Sequence, residues 1–179
     1  MAIEIRPLRD TDDRAKFRSG DPDLDTFFAR YAGQNQFRLH IGTTHIAMDG
    51  DRTLGYATIA AGNIEGDTLP ASTRQALPRY PLPVLRLARL AVDATARDLG
   101  IGTALMRHAF RLALRMSQAY GCVGILVDAK ADAVEFYARF GFSRLDVSEG
   151  DIQSHPRPTT MFLPLDLIVA ALPAPGSVP

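Results

Sequence analysis

The chain is poor in the features that mark a secreted or membrane protein. Its 179 residues include one cysteine, Cys122, and no tryptophan. A lone cysteine excludes an internal disulfide and a cysteine metal cluster, which fits a reducing compartment. No apolar run approaches the roughly 20 residues that a membrane-spanning helix needs. The opening stretch MAIEIRPLRD lacks the apolar core of a signal peptide, so a cytoplasmic protein without membrane contact is expected.

An excess of charge of one sign is also absent. Twenty Lys and Arg residues balance twenty Asp and Glu residues, so the chain as a whole lacks the basic character of many nucleic-acid binders. The charge is nevertheless uneven, because residues 74–115 carry a net +6 from eight arginines against two aspartates. A local basic surface fits an anionic ligand, but charge alone favours ordinary solvated arginines. The eight are Arg74, Arg79, Arg86, Arg89, Arg97, Arg107, Arg111 and Arg115.

The first half of the chain predicts a strand, a helix and a hairpin. Residues 2–8, AIEIRPL, alternate as an opening strand does. Residues 21–36 predict a helix that Asp21 caps and Pro22 begins. In residues 44–62, two apolar runs flank the turn sequence DGD and predict a hairpin.

The second half predicts alternating strands and helices. The longest helix runs from Gly100 to Gly121, with apolar residues at helical spacing and arginines on another face. The continuous apolar run CVGILV suits a buried central strand. Further strands are predicted at 84–93 and 159–165, and a helix at 131–140. The order of elements predicts an α/β fold, a mixed sheet with helices on both faces.

One domain is expected. Residues 1–166 form the predicted domain, since no linker or internal repeat divides them. Residues 167–179, which end in PAPGSVP, are predicted to be a disordered, proline-rich tail.

Two glycines, Gly100 and Gly102, open the longest helix, although each costs a helix about 1 kcal/mol relative to alanine. Close approach of a ligand would explain them. Where a strand ends and a helix begins, free N–H groups and the helix dipole favour an anion. No lysine follows as in a P-loop, and Leu105 stands where a dinucleotide fingerprint needs glycine. The pattern that remains is Arg97-x-x-Gly100-x-Gly102.

This pattern resembles the pyrophosphate loop of the GNAT N-acetyltransferases, [QR]-x-x-G-x-[GA]. A second stretch, EFYARFGF, places Phe136, Tyr137, Gly141 and Phe142 at the spacing found at the end of a later GNAT helix. The chain is therefore identified as a member of that family. The resemblance implies the GNAT fold, a central mixed and mostly antiparallel twisted sheet with helices on both faces.

Longer stretches resemble one branch of the family in particular. Among them are FARYAGQNQ, GYATIAAGNIE and LPRYPLPVLRLARLAVD. That branch contains the toxins of type II toxin–antitoxin modules, which acetylate the free amine of aminoacyl-tRNA. The resemblance implies the same acceptor here, a ribbon-helix-helix antitoxin as partner, and a homodimer.

The resemblance also implies acetyl-CoA as cosubstrate and gives residues their roles. Tyr137 is the expected general acid for the leaving thiolate; the alternative is packing against the pantetheine arm. Arg97 contacts a phosphate or braces the loop. In the strand before the loop, a backbone N–H stabilises the oxyanion. The cofactor-binding residues implied are Leu90, Ala91, Val92, Arg97, Leu99, Gly100, Ile101, Gly102 and Thr103.

The sequence leaves more than one hypothesis for the group that accepts the acetyl. For aminoacyl-tRNA, Arg86 and Arg89 are the expected substrate-binding residues, because they lie on the strand beside the thioester. Zero net charge favours a small amine or a protein amine instead. A third possibility is a non-catalytic acyl-CoA-binding module, against which Tyr137 argues. No metal is expected, because His40 and His45 lack the partners of a zinc site.

Overall fold

The computed structural model describes residues 1–146 and 157–173 and confirms most of the predicted elements. The strands are β1 (Glu4–Pro7), β2 (Thr43–Asp49), β3 (Arg52–Ile64), β4 (Leu82–Val92), β5 (Gly124–Ala129), β6 (Ser143–Arg144) and β7 (Thr159–Pro164). The helices are α1 (Pro22–Thr26), α2 (Ala71–Arg74), α3 (Ile101–Ala119), α4 (Val134–Arg139) and α5 (Leu165–Ala171). The hairpin is formed by β2 and β3, and the predicted longest helix is α3.

The strands form one sheet in the order β1-β2-β3-β4-β5-β7-β6. The pairs β1–β2, β2–β3, β5–β7 and β6–β7 are antiparallel. A bulge between Ala47 and Met48 shifts the register of the hairpin. The predicted fold class, a mixed α/β fold with a mostly antiparallel sheet, is confirmed.

The first helix begins as predicted. The Asp21 carboxylate accepts hydrogen bonds from the N–H groups of Asp23 and Leu24 at 3.0 and 3.3 Å. Pro22 occupies the first turn, where its missing N–H costs nothing. This cap sets where α1 begins and in which direction it leaves the preceding loop.

The same helix continues differently from the prediction. After α1 it runs through two π-helical turns, Phe27–Tyr31 and Gln34–Arg38, past the predicted end at residue 36. The Gln36 side chain donates to the Leu8 carbonyl and accepts from the Thr44 N–H. These contacts with distant chain segments hold the last turn in place, and no local pattern reports them.

The described part of the chain forms two compact units. The first comprises Met1–Ala60 and Leu87–Ala109. In its core the rings of Phe28 and Tyr56 stack with centroids 4.6 Å apart. The Tyr56 hydroxyl donates a hydrogen bond of 2.8 Å to the Leu24 carbonyl, so this buried polar group is satisfied.

The second unit comprises the described residues within Ala61–Arg86 and Phe110–Pro179. Val84, Leu126 and Phe162 are among the residues of its core, which fills one side of the antiparallel β5–β7 pair. The expectation of one domain over residues 1–166 stays a prediction. None of the helices in the described ranges combines the length and the apolar character that crossing a bilayer requires.

The predicted tail is wrong at its beginning. Residues 165–171 form α5, and Ile168 in this helix is fully buried. Burial of this apolar side chain stabilises the helix, so the ordered chain extends beyond residue 166. The last part of the predicted tail, residues 174–179, lies outside the described residues.

The close packing of β3 in the first unit gives a testable prediction at Gly55. A Cβ there would lie 2.9 Å from the Ala91 carbonyl oxygen and 2.9 Å from Cγ2 of Ile101. We expect Gly55→Ala to lower the free energy of unfolding by about 1–3 kcal/mol, because the backbone of β4 and the first turn of α3 must move. Urea denaturation followed by circular dichroism measures this.

The matched control is Gly62→Ala in the same strand. Its Cβ would lie 3.5 Å from Val84, an ordinary contact, so we expect little change. Equal losses in the two variants would contradict the close-packing explanation.

Candidate functional site

The connection from β4 to α3 is a short, tightly hydrogen-bonded turn. It begins at Asp93, whose side chain accepts hydrogen bonds from the Thr95 N–H at 3.0 Å, from the Thr95 hydroxyl and from the Arg18 N–H at 3.2 Å. Arg52 adds an ion pair at 3.2 Å. Burial alone would raise the pKa of Asp93, but these bonds and the Arg52 charge together hold it below its usual range. The carboxylate is therefore charged at neutral pH and holds the turn.

The turn ends in a backbone that suits Gly100. This residue has φ +77°, which L side chains rarely adopt, and a Cβ built on it would meet no atom within 4 Å. Asp98, two residues earlier, also has a positive φ, +63°. The space beside the glycine is thus open, as a ligand that approaches the backbone requires.

The first turn of α3 presents its backbone amides next to this space. The Ala104 N–H donates to the Gly100 carbonyl at 2.9 Å, which closes the first turn of the helix. The N–H groups of the three preceding residues are those that have no partner within a helix. They lie at the positive end of the helix dipole, so the geometry is that of an anion site. Ile101 itself is buried, which leaves its backbone as the group available.

Arg97 braces this turn. Its guanidinium donates a 2.7 Å hydrogen bond to the Ser19 carbonyl. Ser19 is held in turn by Asp25, which accepts from the Ser19 N–H at 2.8 Å and from its hydroxyl at 2.6 Å. Of the two roles expected for Arg97, the structure contains the bracing contact.

The end of β4 lies in the same unit as this turn. Ala91 is buried in the core beside Tyr56, and Leu90 and Val92 are half-buried. Their side chains are apolar, so a chemical role at these three residues would fall to the backbone, and that role stays a prediction. One residue earlier, the Arg89 guanidinium lies over the ring of Phe27, 3.8 Å from its centroid.

Arg86, the other arginine predicted to bind substrate, belongs to the second unit. Its guanidinium forms an ion pair of 2.6 Å with Asp128 on β5. The Asp128 carboxylate also accepts a hydrogen bond from the Thr160 hydroxyl at 2.8 Å. Asp128 thus offsets part of the positive charge of Arg86, and the separation of 42 residues along the chain left this pairing without a sequence signal.

Tyr137 lies on α4 in the second unit and is 5% exposed. The rings of Phe136 and Phe142 pack edge-on against it at centroid distances of 5.2 and 5.5 Å. This burial raises the pKa of the Tyr137 hydroxyl above that of an exposed tyrosine. A tyrosine is a neutral phenol at physiological pH even without this shift, and burial only extends that state, which is the one a proton donor needs, to higher pH.

Two polar contacts of the first unit escaped sequence reasoning. Nε2 of His108 on α3 lies 2.9 Å from Nδ1 of His45 on β2, a hydrogen bond between residues far apart in the chain. The role of Asp93 was also missed, although an aspartate two residues before a threonine at a strand end is a recognisable turn signal. Among the residues that the structure describes, no group of three metal-binding side chains occurs.

Comparison with known proteins places these features in a family. The sequence model described as the acetyltransferase (GNAT) domain matches residues 40–144. A tRNA-acetylating toxin of Mycobacterium tuberculosis (strain ATCC 25618 / H37Rv) is 33% identical over 138 residues, which is 76% of this chain and 82% of the relative.

Solved structures of AtaT are also similar to this chain. AtaT complexed with acetyl-methionyl-tRNAfMet has a TM-score of 0.81 at 27% identity and covers 94% of this chain and 98% of its own. A mutant AtaT toxin bound to the C-terminus of the antitoxin AtaR and acetyl-CoA has a TM-score of 0.74 at 25% identity, covering 94% and 96%. The pyrophosphate-loop pattern, the sheet and the extent of these matches all agree: the chain belongs to the GNAT acetyltransferase family.

Proposed function

We propose that this acetyltransferase transfers the acetyl group of acetyl-CoA to the free amino group of an aminoacyl-tRNA and, by blocking that amine, acts as a toxin of translation. The observation that carries the proposal is the 33% identity to a tRNA-acetylating toxin over 82% of that protein. The similarity to AtaT, whose structure contains acetyl-methionyl-tRNAfMet, supports the same acceptor.

The donor binds at the start of α3. The pyrophosphate of acetyl-CoA accepts hydrogen bonds from backbone N–H groups of residues 99–103, and the Thr103 hydroxyl adds another. Gly100 supports this placement, since its positive φ and the open space beside it leave room for a phosphate. Arg97 serves as the brace that fixes the loop, through its bond to Ser19.

The thioester lies along the end of β4. A backbone N–H among Leu90, Ala91 and Val92 donates to the thioester carbonyl and stabilises the oxyanion that forms when the amine attacks. The burial of Ala91 supports a backbone role, because it fixes the strand while leaving no reactive side chain there.

Tyr137 supplies a proton to the leaving group. The amine nitrogen attacks the thioester carbon, the C–N bond forms, and the C–S bond breaks with its electron pair going to sulfur. The phenol protonates the thiolate and regains a proton from water, while the amine releases its own proton to solvent. The neutral, buried state of Tyr137 supports this role.

The two arginines predicted to bind substrate differ in how readily they could contact a tRNA phosphate. Arg89 lies on the strand beside the thioester residues and its guanidinium stacks on Phe27, which leaves its charge without an acidic partner among the described residues. Arg86 is paired with Asp128. We therefore assign an acceptor phosphate to Arg89 first, and to Arg86 only if Asp128 releases it.

Partners and location follow from the same proposal. AtaT binds the antitoxin AtaR, which supports an antitoxin for this chain, and the ribbon-helix-helix class is the one expected. A homodimer and a cytoplasmic location, where aminoacyl-tRNA is found, belong to the proposal as well.

The first prediction for this activity tests the acceptor directly. Purified protein, acetyl-CoA and a mixture of aminoacyl-tRNAs should yield N-acetylaminoacyl-tRNA, detected by mass spectrometry of the released acyl groups. The affinity for tRNA should fall as salt is added, and the logarithm of the binding constant should decrease by about 0.7–0.9 per phosphate contacted for each tenfold rise in salt concentration. Arg89→Glu should weaken tRNA binding and leave acetyl-CoA binding unchanged. If a small amine is acetylated and no aminoacyl-tRNA is, the toxin proposal fails and the alternative of a small-amine acetyltransferase replaces it.

A second prediction concerns the pyrophosphate loop. At a hundredfold excess over its Kd, acetyl-CoA should raise the Tm by about 5–10 °C. In Gly100→Glu this shift should vanish, because a carboxylate would occupy the phosphate position. Gly50→Glu is the matched control, since Gly50 also has a positive φ with open space around it. An unchanged shift in Gly100→Glu would place the donor elsewhere.

A third prediction concerns Tyr137. The protonated Tyr137 hydroxyl is the form that donates the proton. This form is lost only as the pH rises through the pKa of Tyr137, which burial raises above the usual value near 10. The wild-type kcat should therefore show no fall due to this group between pH 7 and 9, and Tyr137→Phe should lower kcat about 10²–10⁴-fold throughout. Tyr120→Phe is the control. Normal turnover of Tyr137→Phe would make Tyr137 a packing residue.

A further inference from the structure

The helix that follows Asp21 exposes an unusual set of side chains over its last turns. Tyr31 and Phe37 are 48% and 38% exposed, and the residues between and beside them include three exposed hydrogen-bond donors. We call this set the arginine–aromatic face: Arg30, Tyr31, Gln34, Phe37 and Arg38. The opposite side of the same helix carries the buried Phe28 and Ala32, so the face points away from the core.

The positive charge of this face has no counterpart nearby in the chain. Between Asp25 and Asp49 the sequence has no acidic residue. Within the described residues, the side chains of Arg30 and Arg38 form neither an ion pair nor a hydrogen bond. As far as the described residues are concerned, both guanidinium groups can contact an anion from outside the chain.

The donors of the face are regularly spaced. Arg30, Gln34 and Arg38 recur every fourth residue, and the π-helical turns keep residues at that spacing on one side of the helix. A row of donors flanked by exposed aromatic rings is the arrangement that binds single-stranded nucleic acid, phosphates on the donors and bases on the rings.

The face continues towards the proposed thioester site within the first unit. Phe27 lies one helical turn before Tyr31 and carries the Arg89 guanidinium 3.8 Å above its ring. Arg89 directly precedes the residues of β4 to which the thioester is assigned. An acceptor spread over this face would thus have one end beside the proposed reacting carbonyl.

We propose that the arginine–aromatic face binds the single-stranded 3′ end of aminoacyl-tRNA, with Tyr31 and Phe37 stacking on bases and with Arg30 and Arg38 contacting phosphates. The proposal rests on the proposed function, which names the acceptor. RNA fits better than a second copy of the chain, since a two-fold axis through this face would bring the arginines of two copies together with no acidic residue from positions 26–48 between them. Leu39 and Ile41, exposed just beyond the face, would suit a protein partner, so the oligomeric state is part of the test.

The experiment compares two variants with matched controls. Arg30→Gln/Arg38→Gln removes two charges from the face, and Arg9→Gln/Arg144→Gln removes two exposed charges elsewhere. Tyr31→Ala removes one exposed ring from the face, and Tyr120→Ala removes one from the end of α3. For each, KM and kcat are measured with aminoacyl-tRNA and with an aminoacyl-adenosine, and the salt dependence of tRNA binding is recorded.

We expect each face variant to raise KM for aminoacyl-tRNA about tenfold, with KM for acetyl-CoA and the rate on aminoacyl-adenosine unchanged. The double arginine variant should also lower the salt slope by roughly 1.4, for two phosphates on a single strand. The two controls should behave as the wild type does.

Three outcomes would overturn the inference. If the wild type acetylates no aminoacyl-tRNA, the proposed function itself fails. If the wild type is active and the face variants match their controls, only the assignment of this face fails. If light scattering shows that Tyr31→Ala turns a dimer into a monomer, the face is an interface between copies.

Discussion

The Asp93 carboxylate accepts hydrogen bonds from Thr95, from the backbone of Arg18 and from Arg52, and the turn between β4 and α3 depends on it. Without these bonds the turn would lose the constraint that directs α3 away from the strand. The direction of α3 decides where its first amides point, and those amides form the anion site. Hydrogen bonds to the charged form lower the pKa of Asp93. The carboxylate therefore keeps its charge, and its hydrogen bonds to the turn, as the pH falls towards the acidic range.

The same turn ties distant segments of the first unit together. The Ala94 N–H donates to the Arg18 carbonyl at 2.8 Å, and Arg97 donates to the Ser19 carbonyl. Asp25 then holds Ser19 from within α1. The helix with the arginine–aromatic face and the loop assigned to the donor are thus fixed to one hydrogen-bonded framework, which supports a shared task for the two.

Electrostatic environment, more than residue type, separates the candidate side chains. Two arginines three residues apart on one strand differ because Arg86 meets Asp128, whereas Arg89 meets the ring of Phe27. The Asp128 carboxylate competes with a phosphate for the Arg86 guanidinium, whereas a guanidinium stacked on a ring can still bind a phosphate. Burial acts likewise on Tyr137, whose pKa rises above that of an exposed tyrosine because the apolar surroundings disfavour a phenolate.

Local patterns in the sequence determined the strand–turn–helix around Gly100, the cap at Asp21, the hairpin and the family, because short-range backbone and turn preferences leave recognisable spacings. The net charge of the chain and the +6 charge of residues 74–115 did not reveal which arginines have an acidic partner. Tertiary structure alone decided that Arg86 pairs with Asp128, that Arg97 reaches Ser19, that His45 meets His108 and that residues 167–171 of the predicted tail belong to α5. Each of these depends on contacts between residues that are distant in the chain or on burial of an apolar side chain, and such contacts exist only once the chain has folded.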